Sequence, residues 1–164
     1  MMNGYYLKGR HEKTAVFDVF FRQNDLITYS LAAGLEQVVD YIKNISFGKE
    51  EIDYLRSLDL FDEGFLKYLS ELKFTGDVYA VPEGVPVFPG EPILTVKAPI
   101  IQAQLVETAI LNMVNHQTLI ASKAAKICHA AEDDSVMEFG LRRAQGPDAG
   151  IYGARAAIIG GCNS

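Results

Sequence analysis

The stretch that decides the fold is Glu138–Gly150, EFGLRRAQGPDAG. An apolar run over 134–140 (DSVMEFG) ends in a glycine, two arginines follow at once, and Gln-Gly-Pro-Asp-Ala-Gly then leads into a helical segment at 148–159. Strand, glycine-containing loop and helix in that order make a βα unit, the building block of a parallel sheet or α/β barrel. The C-terminal end of such a strand opens on the ligand side of the fold. Glu138, Phe139, Arg142 and Arg143 are expected there. Strand alternation sends Glu138 and Gly140 to one side and Phe139 and Leu141 to the other. Guanidinium groups recognise phosphate or carboxylate through paired hydrogen bonds, and a buried cation without an anion is costly. Two readings stand side by side: a bound anionic ligand, or structural pairing such as Arg143 with Asp148. Glu138 is read as a residue that holds Arg142 or Arg143 in place.

Working outward, residues 100–130 form one long helix, hydrophobic almost all round and therefore expected to be buried on most sides. Before it, 74–99 holds five of the six prolines (Pro82, Pro86, Pro89, Pro92, Pro99) with alternating valines, which reads as short strands joined by tight turns. Residues 14–22 read as a strand ending at Arg22. A helix is expected over 26–44, capped by Asn24 or Asp25, from the spacing of Ile27, Leu31, Leu35, Val38 and Ile42. Two further amphipathic helices follow, one starting at Ser46 with Glu50 and Glu51 in its first turn, the other after Asp62. The chain stops at GGCNS, just past one βα unit. A lone unit leaves a strand edge unpaired, so the expectation is the front part of something larger.

Composition narrows the class. The 164 residues are 49 % hydrophobic and 22 % charged, enough for a real core. No uncharged apolar run approaches ~18 residues, so no membrane span is expected, and the N-terminus lacks the apolar region of a signal peptide. The net charge of −6 argues against broad nucleic-acid binding. Any anionic ligand must be small and met locally. The two cysteines, Cys128 and Cys162, have no CxxC spacing and are read as unrelated buried thiols in a reducing, cytoplasmic setting.

The stretch from Glu138 to Ser164 resembles the barrel signature of the nicotinate phosphoribosyltransferase family. FDVFFRQN, PEGVPVFPGEPILTVKAP and VETAILNMVNHQTLIASKAAK resemble that family's earlier segments in the same order, so the likeness covers essentially the whole chain. It implies an α/β fold of the type II phosphoribosyltransferase kind. An α+β N-terminal domain would span 1–98, and 99–164 would hold the long connecting helix and the first βα part of an irregular, incomplete barrel. It also implies cytosolic enzymes that join nicotinate to phosphoribosyl pyrophosphate with coupled ATP hydrolysis. Their product is nicotinate mononucleotide for NAD salvage, magnesium accompanies the pyrophosphate, and the site lies at a homodimer interface.

Carried over by position, Phe139 matches the aromatic that stacks on the pyridine ring, and Arg142 the arginine beside the ribose-phosphate end. Arg22 matches an arginine that meets the pyrophosphate, from the partner subunit. Arg143 belongs to the motif without an assigned role. The family's opening TDLYQ-like segment is not represented, and Tyr5 and Tyr6 are poor substitutes for its tyrosine. Its phosphorylatable histidine lies beyond Ser164, so the chain alone is expected not to turn over. The nicotinamide- and quinolinate-using relatives are the neighbouring alternatives. A biotinyl or lipoyl carrier module, with Lys97 as its lysine, and a non-catalytic partner subunit are the distant ones.

The remaining polar residues read as scaffold. His116 is expected in a hydrogen-bonded helix–barrel contact, His129 at a helix C-terminus, and His11 in solvent. Glu107 is expected to have a structural partner such as Lys123 or a backbone group, and Arg155 to be a surface or interface charge. Gly146, Gly150 and Gly153 match no phosphate-loop pattern and read as loop and packing glycines. No histidine pair has metal-ligand spacing.

Overall fold

The computed structural model describes residues 1–23 and 27–163. The proposed caps Asn24 and Asp25 lie outside the described residues. In chain order the elements are α1 (Met2–Leu7), β1 (Thr14–Val19), β2 (Ser30–Leu31), α2 (Leu35–Asn44), α3 (Lys49–Ser57), α4 (Glu63–Ser70), β3 (Asp77–Ala80), β4 (Pro86–Val87), β5 (Leu94–Pro99), α5 (Ile100–Ala131), a 3-10 turn (Leu141–Arg143) and α6 (Pro147–Ile159). One sheet has the order β1-β5-β3, and β2 pairs antiparallel with β4, Ser30 opposite Val87 and Leu31 opposite Pro86. Among the described residues no helix is long and apolar enough to cross a membrane.

The chain divides into two compact units, each discontinuous and each drawing on residues either side of position 98. The first comprises 1–17, 39–78 and 96–108; the second comprises 18–38, 79–95 and 109–164. In the first unit, α4 starts where Asp62 accepts the amide proton of Gly64 at 2.8 Å, a side-chain N-cap. Its apolar face buries Phe65, Leu66 and Leu69 against Ile52 of α3, Leu72 and Ile101. Tyr5, Tyr6 and Met2 of α1, a helix the sequence reading did not anticipate, pack on the same cluster. α3 begins at Lys49, not Ser46, with Glu50 and Glu51 in its first turn and Arg56 in its last, matching the helix dipole. His11 is not solvated as expected. Its ring lies 5.1 Å from that of Tyr6 and 5.7 Å from that of Tyr68, inside an aromatic cluster completed by Phe65.

Of the helix expected over 26–44, the described residues 27–34 are not helical and Leu35–Asn44 are. Ser30–Leu31 is a strand, and residues 31–33 are pinned to α5: the Leu31 amide donates to Ser122 Oγ at 2.9 Å, and the Ala33 amide to Thr118 Oγ1 at 3.3 Å. α2 starts only at Leu35, after Gly34 with φ +100°. A side-chain carbon at Gly34 would meet the Met113 carbonyl oxygen at 2.9 Å, so both backbone and space demand glycine there.

α5 matches the expected helix to within a residue, but it is buried along a stripe and not all round. Ile101, Val106, Ile110, Val114, Gln117, Ala121 and Ala124 recur every three to five residues on the buried side, while Leu111, Leu119 and Ile127 are exposed. Glu107 is also exposed, and among the described residues no lysine pairs with it. α6 packs on α5 through small residues. Ala156 and Ala121 are fully buried together, and a side-chain carbon at Gly160 would collide with the Ala121 carbonyl and the Ala124 methyl. Gly153 lies on the same contact, against Ile120.

Candidate active site

Among the described residues the expected strand at 134–140 is reduced to a single parallel bridge, Met137 with Asn163, held by the Asn163 amide donating to the Val136 carbonyl at 2.8 Å. The Ser135 hydroxyl adds a bond to Asn163 Oδ1 at 2.9 Å. Residues 137 and 163 flank α6, so the order bridge, loop, helix, bridge is a rudimentary parallel crossover. Beyond Met137 the chain turns at once. Glu138 does not hold an arginine; its Oε1 accepts the amide proton of Gly140, two residues on. The Arg143 amide donates to the Gly140 carbonyl at 2.7 Å, closing the 3-10 turn, and the Ala144 amide to Leu141 at 3.1 Å. Gly146 (φ +102°) then redirects the chain, and Pro147 opens α6 at the position where its missing N–H costs least. Leu141 rests on the bare backbone of Gly150, which ties the turn to the first turns of α6.

The side chains of this loop face outward. Phe139 is 69 % exposed, and Glu138, Arg142 and Arg143 are exposed with it. The expectation of buried cations is overturned. So is the alternative of an Arg143–Asp148 pair, because among the described residues neither Arg142 nor Arg143 is held in an ion pair. Their guanidinium donors are free for an anion. Arg143 and Asp148 instead border one cavity of about 480 Å³, together with Gln37, His116, Gln145 and Tyr152. His116 makes the helix contact expected of it: its Nε2–H donates to the Ala149 carbonyl at 3.1 Å. Arg22 lies beyond the end of β1, exposed, outside that loop and its cavity. Its neighbours Phe20 and Phe21 line a separate, mainly apolar cavity of about 520 Å³ with Ile93, Leu111, Val114 and Leu119.

One arrangement escaped the sequence reading. Arg155, expected as a surface or interface charge, is the hub of a network. Its Nη2 donates to Glu83 Oε2 at 2.5 Å and to Glu36 Oε2 at 2.5 Å, its Nη1 to Glu83 Oε1 and Gln117 Oε1 at 3.0 Å each. Glu83 Oε1 also accepts the amides of Gly34 at 2.6 Å and Leu35 at 3.0 Å, capping α2 from a turn 48 residues away. Burial pushes the Glu83 carboxyl up, but the bonds from Arg155, Gly34 and Leu35 outweigh it and hold the group below its ordinary value. Arg155 is raised above its ordinary value, by Glu83 first and Glu36 next. This cluster anchors α6, whose N-terminal end carries the arginine loop. Among the described residues no group of three or more His, Cys, Asp and Glu side chains could hold a metal ion.

Comparison with known proteins adds the identity of the family. The family model of the nicotinate phosphoribosyltransferase (NAPRTase) N-terminal domain matches residues 1–115. A nicotinate phosphoribosyltransferase of Bacillus subtilis is 47 % identical over 162 residues, covering 98 % of the chain and 33 % of that protein. Nicotinate phosphoribosyltransferase pncB2 of Mycobacterium tuberculosis is 45 % identical over 157 residues, covering 95 % and 34 %. The crystal structure of human nicotinic acid phosphoribosyltransferase superposes with a TM-score of 0.92 at 35 % identity, over 100 % of the chain and 34 % of that structure. A nicotinate-nucleotide pyrophosphorylase from Pyrococcus furiosus shares the fold, with a TM-score of 0.73 at 23 % identity. The chain spans about a third of the length of these relatives. A mixed α/β structure of the type II phosphoribosyltransferase kind is therefore what the sequence encodes, and the chain belongs to the nicotinate phosphoribosyltransferase family.

Proposed function

We propose that the chain is the N-terminal third of an enzyme that joins nicotinate to phosphoribosyl pyrophosphate, giving nicotinate mononucleotide and pyrophosphate for NAD salvage. Coupled ATP hydrolysis, a cytoplasmic location and a homodimer with the site at the subunit interface complete the proposal. The observation that carries it is the loop 138–143 in a chain of this family: Phe139 and two arginines that have no ion-pair partner among the described residues are presented together on a turn fixed at both ends.

The chemistry suits such a loop. Breaking the bond between ribose C1 and pyrophosphate builds positive charge on the sugar and negative charge on the leaving group. Phe139 supplies a flat face on which a pyridine ring can be oriented, so that its nitrogen lone pair points at C1. Arg142 meets the phosphate on the ribose, Arg22 meets the pyrophosphate across the dimer, and Arg143 extends the positive field into the cavity it borders. No general base is required, because the pyridine nitrogen already carries a free lone pair. The described residues form no metal cluster. Magnesium, as the family resemblance implies, would accompany the substrate's pyrophosphate and help neutralise its charge as it leaves.

The test is a product assay on the full-length protein supplied with phosphoribosyl pyrophosphate, ATP, magnesium and one of nicotinate, nicotinamide or quinolinate. Mononucleotide formation from nicotinate, stimulated by ATP, is the expected result. Turnover of quinolinate or nicotinamide alone, or none at all, overturns the reading. The isolated 164 residues are expected to be inactive in the same assay.

A further inference from the structure

The two cysteines, read from the sequence as unrelated, are neighbours. Cys128 near the C-terminal end of α5 and Cys162 just beyond α6 have their sulfurs 3.7 Å apart across 34 residues of chain. Both are half-buried free cysteines. The residue before Cys162 also lies beside Cys128: a side-chain carbon at Gly161 would be 3.5 Å from Cys128 Cβ and 3.6 Å from its Sγ. Gly161 itself has φ +102°. A disulfide needs its sulfurs about 2.0 Å apart with Cβ atoms at about 3.5–4.5 Å. Closing the bond requires the two sulfurs to draw together from 3.7 Å.

We propose that Cys128 and Cys162 form a reversible intramolecular disulfide that closes a covalent loop around the segment carrying Phe139, Arg142 and Arg143. The oxidant is a low-molecular-weight disulfide such as oxidised glutathione. The thiolate of one cysteine attacks a sulfur of the oxidant and releases one glutathione thiolate. The second cysteine, as thiolate, attacks the protein sulfur of that mixed disulfide and releases the other. Two thiols lose two protons and two electrons, and one oxidised glutathione takes up both as two reduced glutathiones.

The position of the bond gives it a consequence. Asn163, next to Cys162, makes the parallel bridge to Met137 at the root of the arginine loop. Cross-linking 128 to 162 fixes that bridge to α5, and with it both ends of 129–161. Burial, then Cys128 and Glu138, push the Cys162 thiol above its ordinary value, which lowers its thiolate fraction at neutral pH. The bond itself depends only on the sulfur geometry; its effect on catalysis rests on the function proposed above.

The experiment is equilibration of the full chain in glutathione buffers of increasing oxidation, quenched and read by thiol titration, intact mass and non-reducing peptide mapping. Both thiols are expected to disappear together, with loss of two hydrogens and one cross-linked peptide joining 128 to 162. Amide exchange over 129–161 should slow by at least about tenfold, and dithiothreitol should restore the starting state. Cys128→Ser and Cys162→Ser should each yield a single glutathione adduct and no cross-link. Thiols that persist in strongly oxidising buffer, stable glutathione adducts on the unsubstituted chain, or cross-links between chains would each overturn the proposal. None of these readouts depends on turnover, so a failed activity assay leaves the result legible.

Discussion

Arg155 and Glu83 form a forked pair, Nη2 to Oε2 at 2.5 Å and Nη1 to Oε1 at 3.0 Å, with the arginine side chain 29 % and the glutamate 18 % exposed. Removing one partner of such a pair strands the other in a partly desolvated place. Glu83 is also the cap of α2. Glu83→Ala should therefore cost about 2–4 kcal/mol, combining a lost cap worth about 1 kcal/mol with a broken, incompletely buried ion pair. Urea unfolding should show a lower midpoint at unchanged slope. Arg155→Met should cost less, because Glu83 keeps its two backbone donors. Equal losses in the two variants would mean that the capping bonds contribute nothing.

The same carboxyl sets an acid dependence. Its folded pKa lies below the ordinary value of 4.5. The unfolded state thus takes up a proton first as pH falls. The contribution of Glu83 is complete above 4.5 and is lost on the acid side as pH passes through the folded value. Unfolding free energy measured against pH should fall less steeply below 4.5 in Glu83→Gln than in the unsubstituted chain, and the two curves should run parallel above it. A difference that grows toward neutral pH would contradict the assignment.

Gly34 is a second point of leverage. With φ +100° and the Met113 carbonyl where a side chain would go, Gly34→Ala meets strain and overlap together. The expected loss exceeds about 1 kcal/mol, with the start of α2 and the Glu83 cap disturbed first. Amide exchange at Leu35 and Val38 should accelerate more than in α4, whose cap is local.

What the sequence disclosed follows from how far each determinant lies along the chain. α4 was legible because its cap, Asp62, sits beside its apolar stripe. α5 was legible from its long, almost wholly apolar run, the short strands within 74–99 from their prolines and alternating valines, and the barrel motif from the resemblance of its own residues. α2 was misread because Ile27 and Leu31 happen to continue its helical spacing, whereas its true start is fixed by Glu83 from 48 residues away. The Cys128–Cys162 contact, the edge-on contact of His11 with Tyr68 and the Arg155 hub are likewise long-range. The strand at 134–140 fell short because Glu138 satisfies Gly140 within the loop, and the bridge to Asn163 is its sole ladder contact among the described residues. The arginines misled for the same reason: a strand end implies burial, a turn does not.

Phe139 and Arg142 separate stability from function most cleanly. Both side chains are exposed, and Arg142 is in no ion pair among the described residues. Exposed groups without special contacts change stability by about 0.5 kcal/mol or less when truncated, so Phe139→Ala and Arg142→Ala should unfold at the same urea concentration as the parent. Turnover should respond very differently. A donor aimed at developing charge is worth a factor of about 10²–10³ in rate, so Arg142→Ala in the full-length protein should lower kcat/KM by that order. Arg142→Lys should recover only part of it, because a point charge cannot reproduce the paired donors of a guanidinium. Phe139→Ala should raise KM for the pyridine substrate, and Phe139→Tyr, which keeps the flat face, should restore it. Full activity in Arg142→Ala with native stability would show that this guanidinium meets no substrate oxygen, and the role assigned to the loop would have to pass to Arg143 and the cavity it borders.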